Sequence, residues 1–210
     1  MSHYYDENPE VESAELPFTY SYKNYDLKLV TDSGVFSKGK IDFGSDLLIN
    51  TFLKENPPGP TKKIIDVGCG YGPIGLMIAK VSPHHEITMV DVNQRALSLS
   101  IKNKTQNHLE NVEVKESDWL SQVEDNAFDF ILTNPPIRAG KKVVHSILTD
   151  AHHKLKANGA LYVVIQKKQG MPSAKKKMEE TFGNVEVLEK HKGYYILRSV
   201  KGWLKTTVLI

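Results

Sequence analysis

The spacing of apolar residues changes period several times along the chain, and each change marks an element. Phe18-Thr-Tyr-Ser-Tyr and Tyr25-Asp-Leu-Lys-Leu-Val alternate in period two around Lys23-Asn24, which predicts a β-hairpin. Leu47, Leu48, Ile49, Phe52 and Leu53 then fall on helical spacing. Ser45 or Asp46 is placed to cap that helix, and Asn56-Pro57-Pro58-Gly59-Pro60 ends it. Beyond residue 61 strand and helix signals alternate. Strand-like runs lie near 63–67, 87–91, 112–115, 128–133, 160–166, 185–189 and 194–200, and helical ones near 74–81, 94–106, 142–155 and 173–182. This alternation predicts an α/β sandwich, a seven-stranded and mostly parallel sheet with helices on both faces. The last two runs are separated only by His191-Lys192-Gly193. That is too short for a helical crossover, so they must form a closing antiparallel hairpin. Three parts are expected: an arm over 1–17, the hairpin and lead-in helix over 18–60, and the sandwich over 61–210.

Composition narrows the setting. At 210 residues the chain is sized for one well-buried domain with an appendage. A hydrophobic share of 40% and a charged share of 25% are those of a soluble globule. No apolar run approaches the roughly 18 residues of a membrane span. The start, Met1-Ser-His-Tyr-Tyr-Asp-Glu, lacks the basic and apolar regions of a signal peptide, so a cytoplasmic location is expected. The net charge of +2 is uneven: residues 1–16 hold five acidic groups and no Lys or Arg, leaving +7 for the remainder. A basic body is compatible with a polyanionic partner. Cys69 is the single cysteine, and within a glycine loop it reads as a small packed side chain.

Candidate chemistry centres on Lys62 to Gly75. A β-branched run (Ile64, Ile65, Val67) leads into Gly68, Gly70 and Gly72, and an apolar helical segment follows. The loop is expected to present backbone N–H groups at a helix N-terminus, beside a surface without Cβ atoms. A dinucleotide fold would need a third glycine where Pro73 stands. Asp66, just before the loop, would repel a pyrophosphate and attract an ammonium group. A zwitterionic ligand is therefore favoured. Asp91 ends the next strand, nineteen residues after Gly72, where a carboxylate can accept both hydroxyls of a ribose.

The fourth strand of the sandwich runs into Asn134-Pro135-Pro136-Ile137. The two prolines stiffen the backbone, remove two donors and hold Asn134 out of the helical region. The Asn134 side-chain oxygen and the Pro135 carbonyl could each take one hydrogen of a planar exocyclic amine. Orienting such an amine matters more than deprotonating it in advance.

Asp66-Val-Gly68-Cys69-Gly70-Tyr-Gly72 resembles motif I of class I methyltransferases, whose ligand is S-adenosylmethionine. Gly34-Val-Phe36-Ser37, followed by Asp42, Gly44, Ser45, Leu47 and Leu48, resembles the segment upstream of motif I in RsmC-type ribosomal RNA methyltransferases. Asn134-Pro-Pro resembles motif IV of amino methyltransferases. The resemblance spans roughly residues 18–200. It implies S-adenosylmethionine as cofactor, methylation of guanine N2 in small-subunit ribosomal RNA, and a partner that is ribosomal RNA or the small subunit. It places Asp118, after the third strand, at the adenine amino group, with Val92 and Ser117 beside the cofactor. RsmC itself has an aromatic residue where this chain has Ile137, so a stacking partner is sought elsewhere, as at Phe36. Longer members carry a further N-terminal domain, and docking on RNA is here expected to fall to residues rimming the site. Arg138, Lys141 and Lys142 follow the Asn-Pro-Pro turn, and Lys167 and Lys168 follow the fifth strand; these are the candidate phosphate contacts. Trp119 is expected to fill core.

Rival readings are N6-adenine or protein glutamine methylation by the same Asn-Pro-Pro device, and a non-catalytic RNA-binding or assembly factor on the same fold. No metal is expected: His84-His85 and His152-His153 are adjacent pairs, whose side chains point apart and read as surface residues.

Overall fold

The computed structural model describes residues 15–32 and 39–202. Its first two strands, β1 (Leu16–Tyr22) and β2 (Tyr25–Thr31), form a separate antiparallel hairpin with Lys23-Asn24 as the turn. Helix α1 (Phe43–Glu55) follows. Its cap is Asp42, whose Oδ1 accepts from the Ser45 N–H at 2.9 Å, and not Ser45 or Asp46 as the sequence suggested. Three cap-forming side chains within five residues make the start ambiguous, and the structure takes the first of them.

The sandwich then runs β3 (Lys63–Val67), α2 (Pro73–Val81), β4 (Glu86–Asp91), α3 (Gln94–Gln106), β5 (Val112–Glu116), β6 (Phe128–Thr133), α4 (Lys141–Lys154), β7 (Leu155–Gln166), α5 (Met171–Phe182), β8 (Glu186–His191) and β9 (Tyr194–Val200). The seven strands lie in the order β5-β4-β3-β6-β7-β9-β8, parallel except where β9 pairs with β7 and β8. Sequence order reverses between β3 and β6. The crevice beyond the C-terminal ends of those two strands is where such sheets bind ligands.

Alternation along each strand divides the core. Ile64, Ile87 and Met89 face one way, with Leu48, Phe52, Leu76 and Leu97 from α1, α2 and α3. Ile65, Val67 and Val90 face the other way, with Ile147, Leu148, Met178 and Phe182 from α4 and α5. The hairpin covers the first of these layers, burying Leu27 and Leu29. Its β2 edge, which would otherwise present an open ladder, is closed by amide side chains of α3. Asn103 bonds both the N–H and the carbonyl of Val30, at 2.8 and 2.9 Å. Gln106 donates to the Lys28 carbonyl at 2.8 Å. Asn103 also donates to the Tyr71 carbonyl at 2.8 Å, which links the hairpin to the glycine loop.

His85 departs from its expected surface position. It is buried, and its Nδ1 accepts from the Lys62 N–H at 3.2 Å while His84 stays exposed. Among the described residues no group of three or more His, Cys, Asp or Glu is placed to hold a metal ion, and no helix is long and apolar enough to cross a membrane.

Candidate active site

Two loops meet at the switch point. Val67 of β3 pairs with Thr133 of β6, and the Thr133 hydroxyl donates to the Val67 carbonyl at 2.9 Å. The residues that follow, Gly68 and Asn134, therefore leave the sheet side by side.

In the first loop Gly68, Gly70 and Gly72 all have positive φ, at 71°, 59° and 94°. Their N–H groups are not offered to a ligand, contrary to the sequence expectation. Gly68 and Cys69 donate to the Val90 carbonyl at 2.9 and 3.0 Å, Gly70 to Asp91 Oδ2 at 2.8 Å, and Gly72 to the Cys69 carbonyl at 3.0 Å. These bonds fasten the loop to the end of β4, so what it presents is a surface free of side chains. Gly75, one turn into α2, is held closest of all: a Cβ there would lie 2.5 Å from Met89 Sδ. Cys69 is buried, and desolvation followed by the charges of Asp91 and Asp66 raises its thiol well above the ordinary range, which suits packing and not nucleophilic attack.

Asp66 is buried to 1% exposure. Its Oδ2 accepts from the Gly75 N–H at 3.0 Å, whereas Oδ1 is a buried acceptor without a partner among the described residues. Burial, with a smaller push from Asp91, raises its carboxyl to about 7 against the opposing Gly75 hydrogen bond. An orphaned acceptor reluctant to carry its charge alone is a fitting seat for an ammonium group. The side-chain-free cradle beside it fits the remainder of S-adenosylmethionine.

Asp91 is buried too, with Oδ2 on the Gly70 N–H and Oδ1 on the Asn93 N–H at 2.9 Å. These bonds fix the orientation of the carboxylate at the end of β4. Val92 is half-buried next to it, and the Ser117 N–H donates to the Asp91 carbonyl at 3.1 Å. Asp118 is exposed beyond Ser117. Trp119, expected in the core, is half-buried; its ring lies 3.5 Å from where a Gly68 Cβ would stand, so it borders the glycine loop as well as the core.

In the second loop Asn134 is half-buried and Pro135 buried, and the Pro136 carbonyl accepts from the Ala139 N–H at 2.9 Å. Asn134 Nδ2 donates to Asp42 Oδ1 at 3.1 Å and to the Ser45 hydroxyl at 3.2 Å. Sequence reasoning did not give Asp42 and Ser45 this role, although both lie in the stretch that carried the family resemblance. Gly44 between them admits the contact: a Cβ there would meet Asp42 Oδ1 at 3.2 Å and Asn134 Nδ2 at 3.4 Å. Ile137 is half-buried in a single 3-10 turn, while Arg138, Lys141 and Lys142 are exposed at the entry to α4. Lys167 and Lys168 are exposed after β7, on the same sheet edge. Phe36 lies outside the described residues.

Comparisons with known proteins identify the family. The family described as methyltransferase small domain matches residues 26–198. The Bacillus subtilis protein YbxB is 50% identical over 200 residues, covering 95% of this chain and 98% of its own. Ribosomal RNA small subunit methyltransferase C of Cronobacter sakazakii is 33% identical over 86% of this chain and 52% of its own. Large subunit methyltransferase G of Psychromonas ingrahamii is 29% identical over 91% and 50%. This chain thus spans about half the length of those ribosomal RNA enzymes. Among solved structures, the Thermus thermophilus 16S rRNA N2 G1207 methyltransferase RsmC, in complex with AdoMet and guanosine, superposes with a TM-score of 0.80 at 26% identity, over 92% of this chain and 52% of that one. The chain belongs to the methyltransferase small domain family and is a class I methyltransferase that uses S-adenosylmethionine.

Proposed function

We propose that this chain methylates the exocyclic N2 amine of a guanine in small-subunit ribosomal RNA. The observation that carries the reading is the state of the Asn134 amide. Asp42 and Ser45 engage its NH2, so what remains for a substrate is its oxygen, an acceptor suited to an amine hydrogen. The choice of guanine and of the small subunit draws on the likeness to the Thermus and Cronobacter enzymes. A ribosomal substrate implies work in the cytoplasm.

S-adenosylmethionine supplies an electrophilic methyl group on a sulfonium. In this reading Asp66 takes its ammonium group, Gly68, Cys69, Gly70 and Gly72 form the bare wall against it, Asp91 takes the ribose hydroxyls, and Asp118 with Val92 and Ser117 borders the adenine. Asn134 Oδ1 and the Pro135 carbonyl each accept one hydrogen of the guanine amine and aim its lone pair at the methyl carbon, while Pro136 keeps that turn rigid. As the N–C bond forms, the methyl–sulfur bond would break and the sulfonium would leave as a neutral thioether; neither acceptor is basic enough to retain a proton, so the surplus one leaves the amine to water. Residues 61–210 constitute the catalytic domain, to which the 18–60 segment lends Asp42 and Ser45.

Lys141 and Lys142 support an RNA substrate. They lie in the first turn of α4, which has no side-chain cap, and cations are unfavourable at that end of a helix dipole. Phosphate bound there would offset the cost, as it would beside Arg138, Lys167 and Lys168.

The test is transfer from labelled S-adenosylmethionine to purified small subunits from a strain lacking the protein, followed by nucleoside analysis. Label in N2-methylguanosine is expected. Label in the large subunit, in N6-methyladenosine or in protein glutamine would overturn the substrate, and absence of label despite cofactor binding would overturn the reading for this subunit.

A further inference from the structure

Ile137 offers no π-face at the proposed base pocket, but among the described residues a cluster of aromatic rings lies beside Asn134. Phe43, the first residue of α1, stacks with His191 at a centroid distance of 5.4 Å and an interplanar angle of 25°. It tilts against Tyr194 at 5.3 Å, and Lys192 Nζ lies 5.0 Å from the centroid of the same ring. This cluster adjoins the Asn-Pro-Pro turn. A Cβ on Gly44 would stand 3.2 Å from Tyr194 Cε1 and 3.4 Å from Asn134 Nδ2, so Tyr194 and Asn134 are neighbours across one glycine.

Topology puts the cluster on the cofactor edge of the sheet. Tyr194 pairs with Gln166, the last residue of β7, so the β8–β9 turn projects where the parallel strands end. The Gly193 carbonyl accepts from the Lys167 N–H at 2.8 Å, bringing Lys167 and Lys168 beside Lys192.

Packing does not account for the tip. The hairpin is anchored by Tyr195, Ile196 and Leu197, which are buried, whereas His191 and Lys192 are exposed and add little burial. An exposed ring backed by a second ring and flanked by lysines is the combination that binds single-stranded nucleic acid, because every base has a face to stack and every linkage a phosphate.

We infer that His191, Lys192 and Tyr194, backed by Phe43, form a platform for the RNA nucleotide adjoining the methylated guanine, its base stacked on His191 and its phosphates on Lys192 and Lys167. The inference deepens the ribosomal RNA reading and rests on it. It gives the neighbouring nucleotide a seat of its own, separate from the Asn134 pocket.

Binding of a fluorescein-labelled single-stranded RNA dodecamer to the full chain, followed by anisotropy, tests it. His191→Ala should weaken binding about tenfold at every salt concentration, since stacking is lost and charge is kept. Lys192→Asn retains a residue suited to the positive φ of 48° at that position. It should reduce the slope of log affinity against log salt by about 0.7, the loss of one single-strand phosphate contact. Melting temperature and S-adenosylmethionine affinity should be unchanged in both. His191→Ala binding within twofold of wild type, or an unaltered slope in Lys192→Asn, overturns the platform even if N2-methylguanosine is formed. Loss of binding in the variants without any N2-methylguanosine from wild type upholds the platform and overturns the choice of methylated atom. A wild-type protein that binds no single-stranded RNA overturns the platform.

Discussion

Asn134 Nδ2 donates to Asp42 Oδ1 at 3.1 Å across 92 positions of sequence, and the same oxygen accepts the Ser45 N–H that begins α1. One carboxylate thus caps the start of a helix and orients an amide. An ionised carboxylate only accepts hydrogen bonds, so the Asn134 group turned towards it has to be NH2. The helix cap thereby determines which end of the amide is left unengaged by it, and in the proposed reading that end faces the substrate.

Separating those two duties gives a sharp prediction. Asp42→Ser keeps a capping hydroxyl, so stability should fall by only a few tenths of a kcal/mol, but its shorter side chain no longer reaches Asn134. Turnover should drop about tenfold to a hundredfold, with S-adenosylmethionine affinity held, because loss of orientation acts on the chemical step. Asn134→Ala should cost roughly 10²–10³ in kcat. Saturation kinetics and calorimetry make the comparison, and a wild-type kcat for Asp42→Ser would remove Asp42 from the site.

Asp66 predicts a pH dependence of definite sign. Its folded carboxyl titrates near 7 against 3.8 ordinarily, so between those values the folded ligand-free protein binds the extra proton. This group's contribution to stability is full below 3.8 and is lost as pH rises through 7, in total about 4 kcal/mol. Asp66→Asn should therefore be no more stable than wild type near pH 3.5 and progressively more stable from there to neutrality, read from melts without cofactor. A bound ammonium reverses the balance. Wild-type affinity for S-adenosylmethionine should rise roughly tenfold between about pH 5.5 and 7.5, below the titration of an α-amino group, while Asp66→Asn stays weak and flat. A pH-independent wild-type affinity would sink the assignment.

Gly75→Ala should destabilise the fold by about 1–3 kcal/mol, because Met89, whose sulfur the new Cβ would meet, is fully buried. Met89→Val removes the obstructing atoms, so the double variant should recover about 1 kcal/mol relative to the sum of the single changes. Strict additivity in denaturant melts would show that the obstruction lies elsewhere.

The parts of this architecture that a sequence displays are those fixed locally. Period-two and helical runs located all seven strands of the sheet, and Gly68, Gly70 and Gly72 stand where the turn needs positive φ. Pairings between distant residues left no such trace. Asp42 is one of three plausible caps, and nothing local joins it to Asn134. The N–H groups of Gly68, Cys69 and Gly70 looked available because their acceptors, Val90 and Asp91, belong to another strand. The adjacent pair His84-His85 reads as surface from the sequence, because burial of His85 depends on a remote partner, the Lys62 N–H, that no local pattern displays. The early start of β7 at Leu155 was hidden by Asn158-Gly159, a turn signal that the structure places within the strand, near a shift in its register against β6. The resemblance to motif I and to the upstream segment pointed to the site more directly than periodicity did, because it carried residues that are adjacent only in three dimensions.

The two lysines opening α4 give a prediction in which stability and function move in opposite directions. Lys141 and Lys142 are exposed at an uncapped helix N-terminus, where the dipole disfavours positive charge and favours negative charge. Replacing both with Glu should therefore raise the unfolding free energy of the isolated protein, by about 0.3–1 kcal/mol for each favourable charge at low salt. A surface role limited to solubility predicts that same gain and no functional change. If the lysines meet phosphate, Lys141→Glu/Lys142→Glu should also raise KM for RNA, with kcat at saturation retained. The slope of log affinity against log salt should become shallower by about one to two. Denaturant melts and methyl-transfer kinetics on the same preparation read both effects. A more stable variant with unchanged KM and slope would take these lysines out of the RNA interface.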